Sequence, residues 1–578
     1  MAISLAALRQ MILAHPKALA QGLSLLVLAA AYSPVSVLNL APVYGGAATR
    51  LFHRYGMAVT AILGWFLKER IHEMSRGRIA RLLPVLAVSI AAVQFLLFKL
   101  SSWLGSPFGP VITEAFTYYP LLALSIAASA KLIQYATEIQ RYGDTMAEHG
   151  PLIASYVIFN LAERISEAFI SKVIGCTFLL TRYGLQLVIA ALYAITVPSK
   201  SLLLTLPMLL LSYTSNVHIP TKHTTALLNE RIQPYGFELI DRRDSVTGYI
   251  SVLDNLNEGY RVMRADHSLL GGEWTKLPGQ YNPKVKDPIY AVFTMLEAVR
   301  LVETEPPRPA DQDSKALVIG LGIGTTPGSL ISHGIDTTIV EIDPVVYYFA
   351  NKYFHLPHNH TAAIQDAEKF VQKTLASPAS PRYDYIVHDV FTGGAEPINL
   401  FTVEFLQQLS DLLKDNGVIA IVRLPYLPLN ISPENQCLHK LPSKNFAGDL
   451  SLYPAGLVVR TIKHVFPSCR IFREDAAMEN HPAVDFTNMV VFCTKATGTP
   501  VHFRNPIPAD FLGSKARETY LMPKHEIDAS VFETVEKGGQ RLLKAEGADH
   551  IAAFQDQSAI GHWKIMRTVL PDAVWENW

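Results

Sequence analysis

Three acidic side chains in the second half of the chain stand where short apolar runs end. Glu341, Asp366 and Asp389 each follow a run that has the length of a β-strand. In a parallel sheet the carboxyl ends of the strands form one edge, and ligands bind at that edge. A carboxylate there can accept hydrogen bonds from ribose hydroxyls, and another can orient an amine and take its proton. Taken singly, each acid could also be a strand-end cap or a solvated loop carboxylate.

A glycine-rich turn precedes these acids. The apolar residues 316–319 run into Gly320, Gly322 and Gly324, and Pro327 suits the first turn of a following helix. We call residues 320–324 the glycine turn. Glycines permit a tight strand-to-helix turn and let the backbone approach a ligand. Alone, the turn could be purely structural, but its order with the three acids predicts a nucleoside-binding edge.

Strands and helices alternate around these residues. Residues 383–389 and 417–422 read as further strands, and residues 403–413 between them read as a helix. The alternation predicts an α/β Rossmann-like domain, with a mainly parallel sheet and helices on both faces. Residues 249–253 and 260–264 predict a small β-region before this domain.

The first 215 residues have a different composition. They hold 16 Lys and Arg against 8 Asp and Glu, whereas the whole chain holds 50 of each pair. Residues 18–49 contain none of these four residue types and exceed the about 20 residues that cross a bilayer. We therefore expect an α-helical membrane domain with about five to seven spans. A buried helical bundle in a soluble protein is the alternative.

The charges also predict an orientation. The loop of residues 68–81 carries five Lys and Arg side chains, and positive loops tend to stay cytoplasmic. An even number of spans would then place the following domain in the cytosol. The zero net charge of the chain gives no support for nucleic-acid binding.

The sequence predicts neither a disulfide framework nor a metal site. The four cysteines are too few and too scattered for either. His355, His358 and His360 form a cluster, but no further cysteine or acid completes a ligand set. We interpret the cluster as a solvated loop after a helix.

Residues 245–495 resemble the spermidine synthase family, which is built on the class I fold of S-adenosylmethionine-dependent methyltransferases. Membrane-fused members of this family have a similar layout. The likeness runs in order through the β-region, Asp287-Pro-Ile-Tyr290, the glycine turn, Val340-Glu-Ile-Asp343, Asp366-Ala367 and residues 383–389.

The resemblance implies how a donor would be bound. Glu341 would hold the ribose hydroxyls, and Asp366, with Ala367 beside it, would accept from the adenine amino group. The glycine turn would pass under the methionine-like tail of the donor. The co-substrate implied is S-adenosylmethionine or its decarboxylated form, without a metal.

The resemblance also implies an acceptor site, with two departures from the family. Asp389 would be the catalytic carboxylate that orients and deprotonates the attacking amine, and Asp287 and Tyr290 would lie beside that amine. The glycine turn lacks the aspartate usual in the family, and Thr392 stands where the family has a second aspartate. Burying a polyamine without carboxylates is costly. Methyl and aminopropyl transfer therefore both remain open.

We divide the chain into four parts. These are a polytopic membrane domain (1–215), a linker with the small β-region and a leading helix (216–305), a Rossmann-like domain (306–498) and a helical C-terminal tail (499–578). The function expected is that of a membrane-anchored transferase acting on a small amine or hydrophobic metabolite. Its partners are the lipid bilayer and this acceptor, with self-association left open.

A rival hypothesis is a membrane transporter or scaffold with a non-catalytic nucleoside-sensing domain. Its hallmark would be ionisable residues within the spans. Glu114 and Glu163 lie near or between the apolar blocks, so the sequence leaves this rival open.

Overall fold

The structure is a computed structural model that divides into two compact units. It describes residues 15–74, 78–137, 144–276, 283–390, 397–423, 448–449, 453–474, 486–533, 541–546 and 552–578. Met1–Arg231 with Asp572–Trp578 forms the helical unit, and Ile232–Pro571 forms the α/β unit. The end of the chain thus belongs to the same unit as its beginning.

The helical unit is built from apolar helices. The long helices α1, α2, α7 and α8 pack together, with α1 in contact with the other three. The helices are α1 (Pro16–Tyr44), α2 (Gly46–Phe66), α3 (Lys68–Met74), α4 (Leu83–Phe98), α5 (Ser101–Leu104), α6 (Phe108–Phe116), α7 (Tyr118–Thr137), α8 (Asp144–Val173), α9 (Arg182–Thr196), α10 (Leu206–Ser215) and α11 (Lys222–Ile232).

Two helical stretches of the described chain are long and apolar enough to cross a membrane, namely α1 and residues Ile79–Phe98. A third span results if α6 and α7, which meet at a bend of 48°, are counted as one. The sequence predicted about five to seven spans. The difference arises because α2 carries two arginines and a histidine, α8 carries six charged side chains, and α10 has only ten residues.

The α/β unit begins with a four-stranded antiparallel sheet. Its strands are β1 (Phe237–Ser245), β2 (Gly248–Asn255), β3 (Tyr260–Ala265) and β4 (Ser268–Trp274), and they pair in sequence order. The sheet corresponds to the small β-region predicted from the sequence. Ile250, Val252 and Met263 bury their side chains against apolar residues that follow β6 and β7 of the next sheet.

The second sheet has eight strands in the order β16-β12-β14-β10-β9-β6-β7-β8. The five strands from β10 to β8 are parallel, and β14 runs antiparallel to β10. Its strands are β6 (Lys315–Ile319), β7 (Asp336–Glu341), β8 (Thr361–Ile364), β9 (Tyr383–His388), β10 (Leu413–Arg423), β12 (Ser468–Arg473), β14 (Met489–Thr494) and β16 (His525–Ile527).

Helices connect the parallel strands, as the sequence predicted for a Rossmann-like fold. They are α12 (Ala291–Leu296), α13 (Thr325–Ser332), α14 (Pro344–Tyr353), α15 (Ala367–Leu375), α16 (Val403–Leu412) and α17 (Tyr453–Val465). The chain leaves β6 toward β7 and β8 and returns on the other side of β6 as β9. This reversal of strand order is the place where open α/β sheets bind ligands.

Short strands complete the unit. They are β5 (Val302–Glu303), which pairs with β15 (His502–Phe503), and β11 (Gly448–Asp449), which pairs with β13 (Phe486–Thr487).

The C-terminal segment, predicted as one helical tail, is divided in the structure. Residues 502–527 contribute β15, the helix α18 (Lys515–Tyr520) and the edge strand β16. The helix α19 (Ala552–Val569) belongs to the α/β unit, whereas α20 (Asp572–Glu576) belongs to the helical unit.

A disulfide joins two neighbouring strands of the large sheet. Cys469 of β12 and Cys493 of β14 are paired residues of antiparallel strands, and their sulfur atoms are bonded. The sequence predicted no disulfide framework because its cysteines are scattered. Strand pairing brings together these two cysteines, which are 24 positions apart.

Candidate active site

At the reversal of strand order, the main chain of the glycine turn lies very close to the main chain of neighbouring strands. Gly320 and Gly322 have φ angles of 88° and 54°, in the left-handed region that favours glycine. A Cβ atom at Gly320 would lie 1.8 Å from the carbonyl oxygen of Asp389, and one at Gly322 would lie 2.6 Å from that of Leu270. Glycine is therefore required at both positions, by the neighbouring strand end and by β4.

Glu341 ends β7 with its carboxylate fixed by main-chain amides. Its Oε2 accepts a hydrogen bond from the amide of Leu321 at 3.0 Å, and its Oε1 accepts one from Asp343 at 2.9 Å. Burial raises the pKa of Glu341 to about 7, despite these hydrogen bonds. The carboxylate keeps further lone pairs that can accept hydrogen bonds from a ligand.

Asp343, two residues later, has a structural role that the sequence did not indicate. It accepts hydrogen bonds from the hydroxyl of Ser245 at 2.6 Å and from that of Thr247 at 2.5 Å. It also caps α14 by accepting from the amide of Val345 at 2.7 Å. Asp343 thereby ties the first sheet to the second, and its oxygens are already satisfied.

Asp366 lies at the end of β8 as the N-cap of α15. Its Oδ1 accepts from the amide of Lys369 at 3.1 Å, a helix-capping role that the sequence did not indicate. Ala367 next to it is buried. Capping occupies one carboxylate oxygen, so Oδ2 can still accept from a ligand.

Asp389 ends β9 directly beside the glycine turn. Its amide donates to the carbonyl of Ile319 at 2.8 Å. The side chain is partly accessible, but the surrounding protein raises its pKa to about 7 by desolvation. The preceding His388 lies between Phe401 and Phe405, and burial lowers its pKa to about 4. Asp389 is therefore the group at this strand end that can exchange a proton near neutrality.

The residues predicted for the acceptor side are both buried, and the C-terminal segment contacts one of them. Asp287 is buried and accepts a hydrogen bond from the hydroxyl of Ser514. Tyr290 is buried and packs its ring against Phe293 at a centroid distance of 6.2 Å. Thr392, the second departure from the family pattern, lies outside the described residues.

A small cavity next to the glycine turn is lined by Glu273 and His355, a pair that the sequence did not indicate. The cavity has a volume of about 170 Å³ and is lined by Glu273, Lys284, Gly324 and His355, among others. Glu273 is buried, and its Oε1 lies 3.0 Å from Nδ1 of His355. His355 has a φ of 56°, which is uncommon for a residue with a side chain. The histidine cluster was the only signal in the sequence, because Glu273 lies 82 positions away.

His360, another histidine of the cluster, contacts neighbouring residues of its own loop and helix. His360 lies 2.7 Å from the carbonyl oxygen of Pro357 and 3.1 Å from the hydroxyl of Tyr347. Among the described residues, no group of three or more His, Cys, Asp or Glu side chains is arranged to hold a metal ion.

Comparison with known proteins decides the family. The chain is 55% identical over 570 residues to the N-terminal histidine N-methyltransferase of Emericella nidulans, covering 97% of this chain and 98% of that protein. The chain belongs to the family of this methyltransferase. It is therefore a transferase. The sequence left methyl and aminopropyl transfer open, and the relative is a methyltransferase.

Two further similarities concern the α/β unit. The spermine/spermidine synthase domain family matches residues 301–432. The polyamine aminopropyltransferase of Vibrio vulnificus is 36% identical over 107 residues, which are 18% of this chain and 36% of that protein. The family resemblance inferred from the glycine turn and the acids is confirmed at the level of the domain, whereas aminopropyl transfer has no such support.

Solved structures show lower similarity. A probable spermidine synthase from Corynebacterium glutamicum is 14% identical with a TM-score of 0.35, covering 52% of this chain and 94% of that chain. Human methyltransferase-like protein 13 in complex with SAH is 20% identical with a TM-score of 0.25, covering 41% and 92%.

S-adenosylmethionine is the co-substrate of this methyltransferase, and the described residues fit it. The edge offers a fixed carboxylate at the end of β7 and a second carboxylate with one unused oxygen at the end of β8. At the end of β6, next to β7, the glycine turn has no side chains at Gly320, Gly322 and Gly324, so its main chain can approach a ligand there. These are the groups that a diol, an amino group and a flexible tail can bind.

Proposed function

We propose that this chain transfers a methyl group from S-adenosylmethionine to an imidazole nitrogen of an N-terminal histidine in a polypeptide. The observation that carries the proposal is the 55% identity to the N-terminal histidine N-methyltransferase, which extends over 97% of the chain. The acceptor would thus be a peptide terminus, in place of the small amine or hydrophobic metabolite expected from the sequence.

The donor would be bound as the sequence predicts. Glu341 would accept hydrogen bonds from the ribose hydroxyls, since its carboxylate is fixed by two amides and directed by β7. Asp366 would accept from the adenine amino group with the oxygen that does not cap α15, and Ala367 would pack beside the ring. The glycine turn, Gly320 to Gly324, would pass under the amino-acid tail.

Asp389 would orient the acceptor and remove its proton. When bound, S-adenosylmethionine supplies a methyl group on a positively charged sulfur. The C–N bond forms as the C–S bond breaks and the neutral thioether leaves, so the imidazole becomes a cation that still carries the proton on its other nitrogen. A carboxylate with a pKa of about 7 can take this proton at neutral pH. Proximity and alignment at the strand end supply the remainder of the rate enhancement.

Synthetic peptides test the substrate assignment. The full chain, purified in detergent, would be incubated with S-adenosylmethionine and a peptide that begins with histidine. Controls are the same peptide with an acetylated amino terminus and one with alanine placed before the histidine. We expect methylation of the first peptide alone. Equal methylation of all three would show that the enzyme does not recognise the terminus.

We also propose that the helical unit is embedded in a lipid bilayer. Besides the two apolar helices, many large apolar side chains of this unit are exposed, among them Phe66 at 76%, Trp103 at 83% and Ile195 at 73%. Such a surface is stable in contact with lipid and is an aggregation liability in water.

The disulfide is relevant to which side of the membrane the α/β unit faces. The positive loop predicted a cytosolic α/β unit, but that prediction requires an even number of spans. Disulfides form in oxidising compartments and are rare in the cytosol. We therefore propose that the α/β unit, with Cys469 and Cys493, faces an oxidising compartment. Alkylation in intact cells should leave both cysteines unlabelled until a reductant is added. Labelling without reductant would contradict this proposal and support the cytosolic orientation.

A further inference from the structure

A chain of hydrogen-bonded polar side chains crosses the apolar interior of the helical unit. We call it the relay; its members, from α8, α1, α2 and α6, are Glu163, Ser33, His53, Glu114 and Ser36. The hydroxyl of Ser33 donates to Oε1 of Glu163 at 2.6 Å and lies 2.9 Å from Nε2 of His53. Nδ1 of His53 lies 2.7 Å from Oε1 of Glu114, which also accepts from the hydroxyl of Ser36 at 2.6 Å.

The hydrogen atoms of the relay can be assigned from these contacts. A serine hydroxyl has a single hydrogen, and that of Ser33 is directed to Glu163. The hydrogen between Ser33 and His53 must therefore come from Nε2 of the imidazole. One further proton lies between Nδ1 of His53 and Glu114, either on the nitrogen or on the carboxyl oxygen.

Glu114 is the enclosed end of the relay. Its side chain has no exposed surface, and its Oε2 has no hydrogen-bond partner among the described residues. An ionised carboxylate with an unsatisfied oxygen is costly in such surroundings. Glu163, at the other end, is only half-buried. The relay thus connects an accessible carboxyl group to an enclosed one.

In the part of the chain that the structure describes, tyrosine side chains also face the relay. The ring of Tyr118 stacks on that of His53 at a centroid distance of 5.7 Å, and Tyr118 is within electrostatic reach of both carboxyl groups and of Tyr193. Tyr119 is within reach of Glu114. Ionisable groups in an apolar helical bundle are commonly functional, and a serine and an imidazole can each both donate and accept.

We propose that the relay is a proton-binding site of the helical unit, which takes up a proton at Glu163 and holds it on Glu114. Before the transfer, Glu163 carries the proton, the hydroxyl of Ser33 donates to an unprotonated Nε2 of His53, and Nδ1 carries the imidazole hydrogen; the arrangement assigned above is the one after the transfer. The O–H bond of Glu163 breaks as the hydroxyl of Ser33 receives that proton, and the former hydrogen of Ser33 passes to Nε2 of His53. The hydrogen on Nδ1 then passes to Glu114. One proton leaves Glu163, one arrives at Glu114, and His53 exchanges one tautomer for the other. The site involves no residue of the methyl-transfer edge.

Infrared spectroscopy of the full chain in lipid nanodiscs tests the proposal. We expect the C=O stretching band of a protonated, buried carboxyl group, which disappears as the pH is raised and is absent from the near-isosteric Glu114→Gln. In Ser33→Ala, which keeps the contact between His53 and Glu114, the band should remain but exchange more slowly in D₂O.

A matched control separates proton binding from helix packing. Gln186 donates to Gln94 at 2.7 Å in the same unit, and both are buried and uncharged. Gln186→Leu should change the melting temperature and leave the carboxyl band unchanged. The proposal is overturned if the wild type lacks the band at every pH, if folded Glu114→Gln keeps it, or if Ser33→Ala exchanges as fast as the wild type.

Discussion

At the scale of residues, two acids of one sequence motif have different roles. Glu341 and Asp343 both match the family pattern Val340-Glu-Ile-Asp343. The oxygens of Asp343 are satisfied by Ser245, Thr247 and the first amides of α14, so it holds the fold together. Glu341 is held by two amides but is buried with a raised pKa, which leaves it available for a ligand.

Glu341→Gln tests the ribose contact and the cause of the pKa shift. Folding raises the pKa of this carboxyl from 4.5 to about 7, so its contribution to stability is greatest below pH 4.5 and declines until about pH 7. Above pH 7 the amide should therefore make the protein more stable, by at most about 3 kcal/mol. Calorimetric titration should show weaker binding of S-adenosylmethionine. Unchanged affinity would remove Glu341 from the donor site.

Asp389→Asn tests the proposed base. The amide keeps the shape of the carboxylate but cannot take a proton, so kcat should fall by roughly 10²–10⁴ while donor binding persists. Because the pKa of Asp389 is raised to about 7, wild-type kcat should rise with pH and level off above that value. A wild-type profile that is flat between pH 5 and 9, or a variant that retains turnover, would assign the base to another group.

At the scale of elements, Gly320 is required for two reasons: its left-handed backbone conformation and its close contact with the end of β9. Gly320 and Gly334 share almost the same φ, 88° and 89°. A Cβ atom at Gly320 would meet the carbonyl oxygen of Asp389 at 1.8 Å, whereas the nearest atom to one at Gly334 is 3.8 Å away. The pair therefore separates strain from steric contact.

Gly320→Ala and Gly334→Ala form a matched comparison. Both should lose the roughly 1–2 kcal/mol that a left-handed residue with a Cβ atom costs. Only Gly320→Ala should displace Asp389, lower the melting temperature further and weaken S-adenosylmethionine binding. Equal effects of the two substitutions on stability and binding would contradict the contact between the turn and β9.

The C-terminal segment is fixed to α12 and its continuation by a buried ion pair. Arg517 donates to both carboxylate oxygens of Glu297 at 2.8 Å, and both side chains are at most 1% exposed. Arg517→Met should cost about 3–5 kcal/mol, since it leaves a buried charge without its partner. Arg470→Met, which breaks the exposed pair with Glu526, is the control and should cost less than about 1 kcal/mol. Similar unfolding midpoints in denaturant would show that the buried pair does not anchor this segment.

At the scale of the whole molecule, features that depend on local sequence patterns could be predicted, whereas contacts between distant segments could not. The succession of strands and helices along the chain, the glycine turn and the positions of Glu341 and Asp389 follow from periodicity and turn chemistry. Contacts between distant segments could not be predicted in this way. Examples are the pairing of Cys469 with Cys493, the contact of Glu273 with His355, and the burial of Asp287 under Ser514.

The return of the chain end to the helical unit is a further long-range feature. The ring of Trp578 stacks on that of His218 at a centroid distance of 4.7 Å, and the carbonyl oxygen of Glu576 lies 2.9 Å from Nε2 of the same histidine. The last residues thus complete the unit in which the chain begins.

The most direct test of the central claim follows the methyl group itself. The full chain would be given S-adenosylmethionine with an isotopically labelled methyl group and a peptide that begins with histidine. Fragmentation mass spectrometry would then locate the label. With the wild type we expect the labelled methyl group on the imidazole of the first residue, and with Asp389→Asn we expect none. Label from the wild type on the terminal amine, on an internal histidine or on no residue would contradict the proposed function.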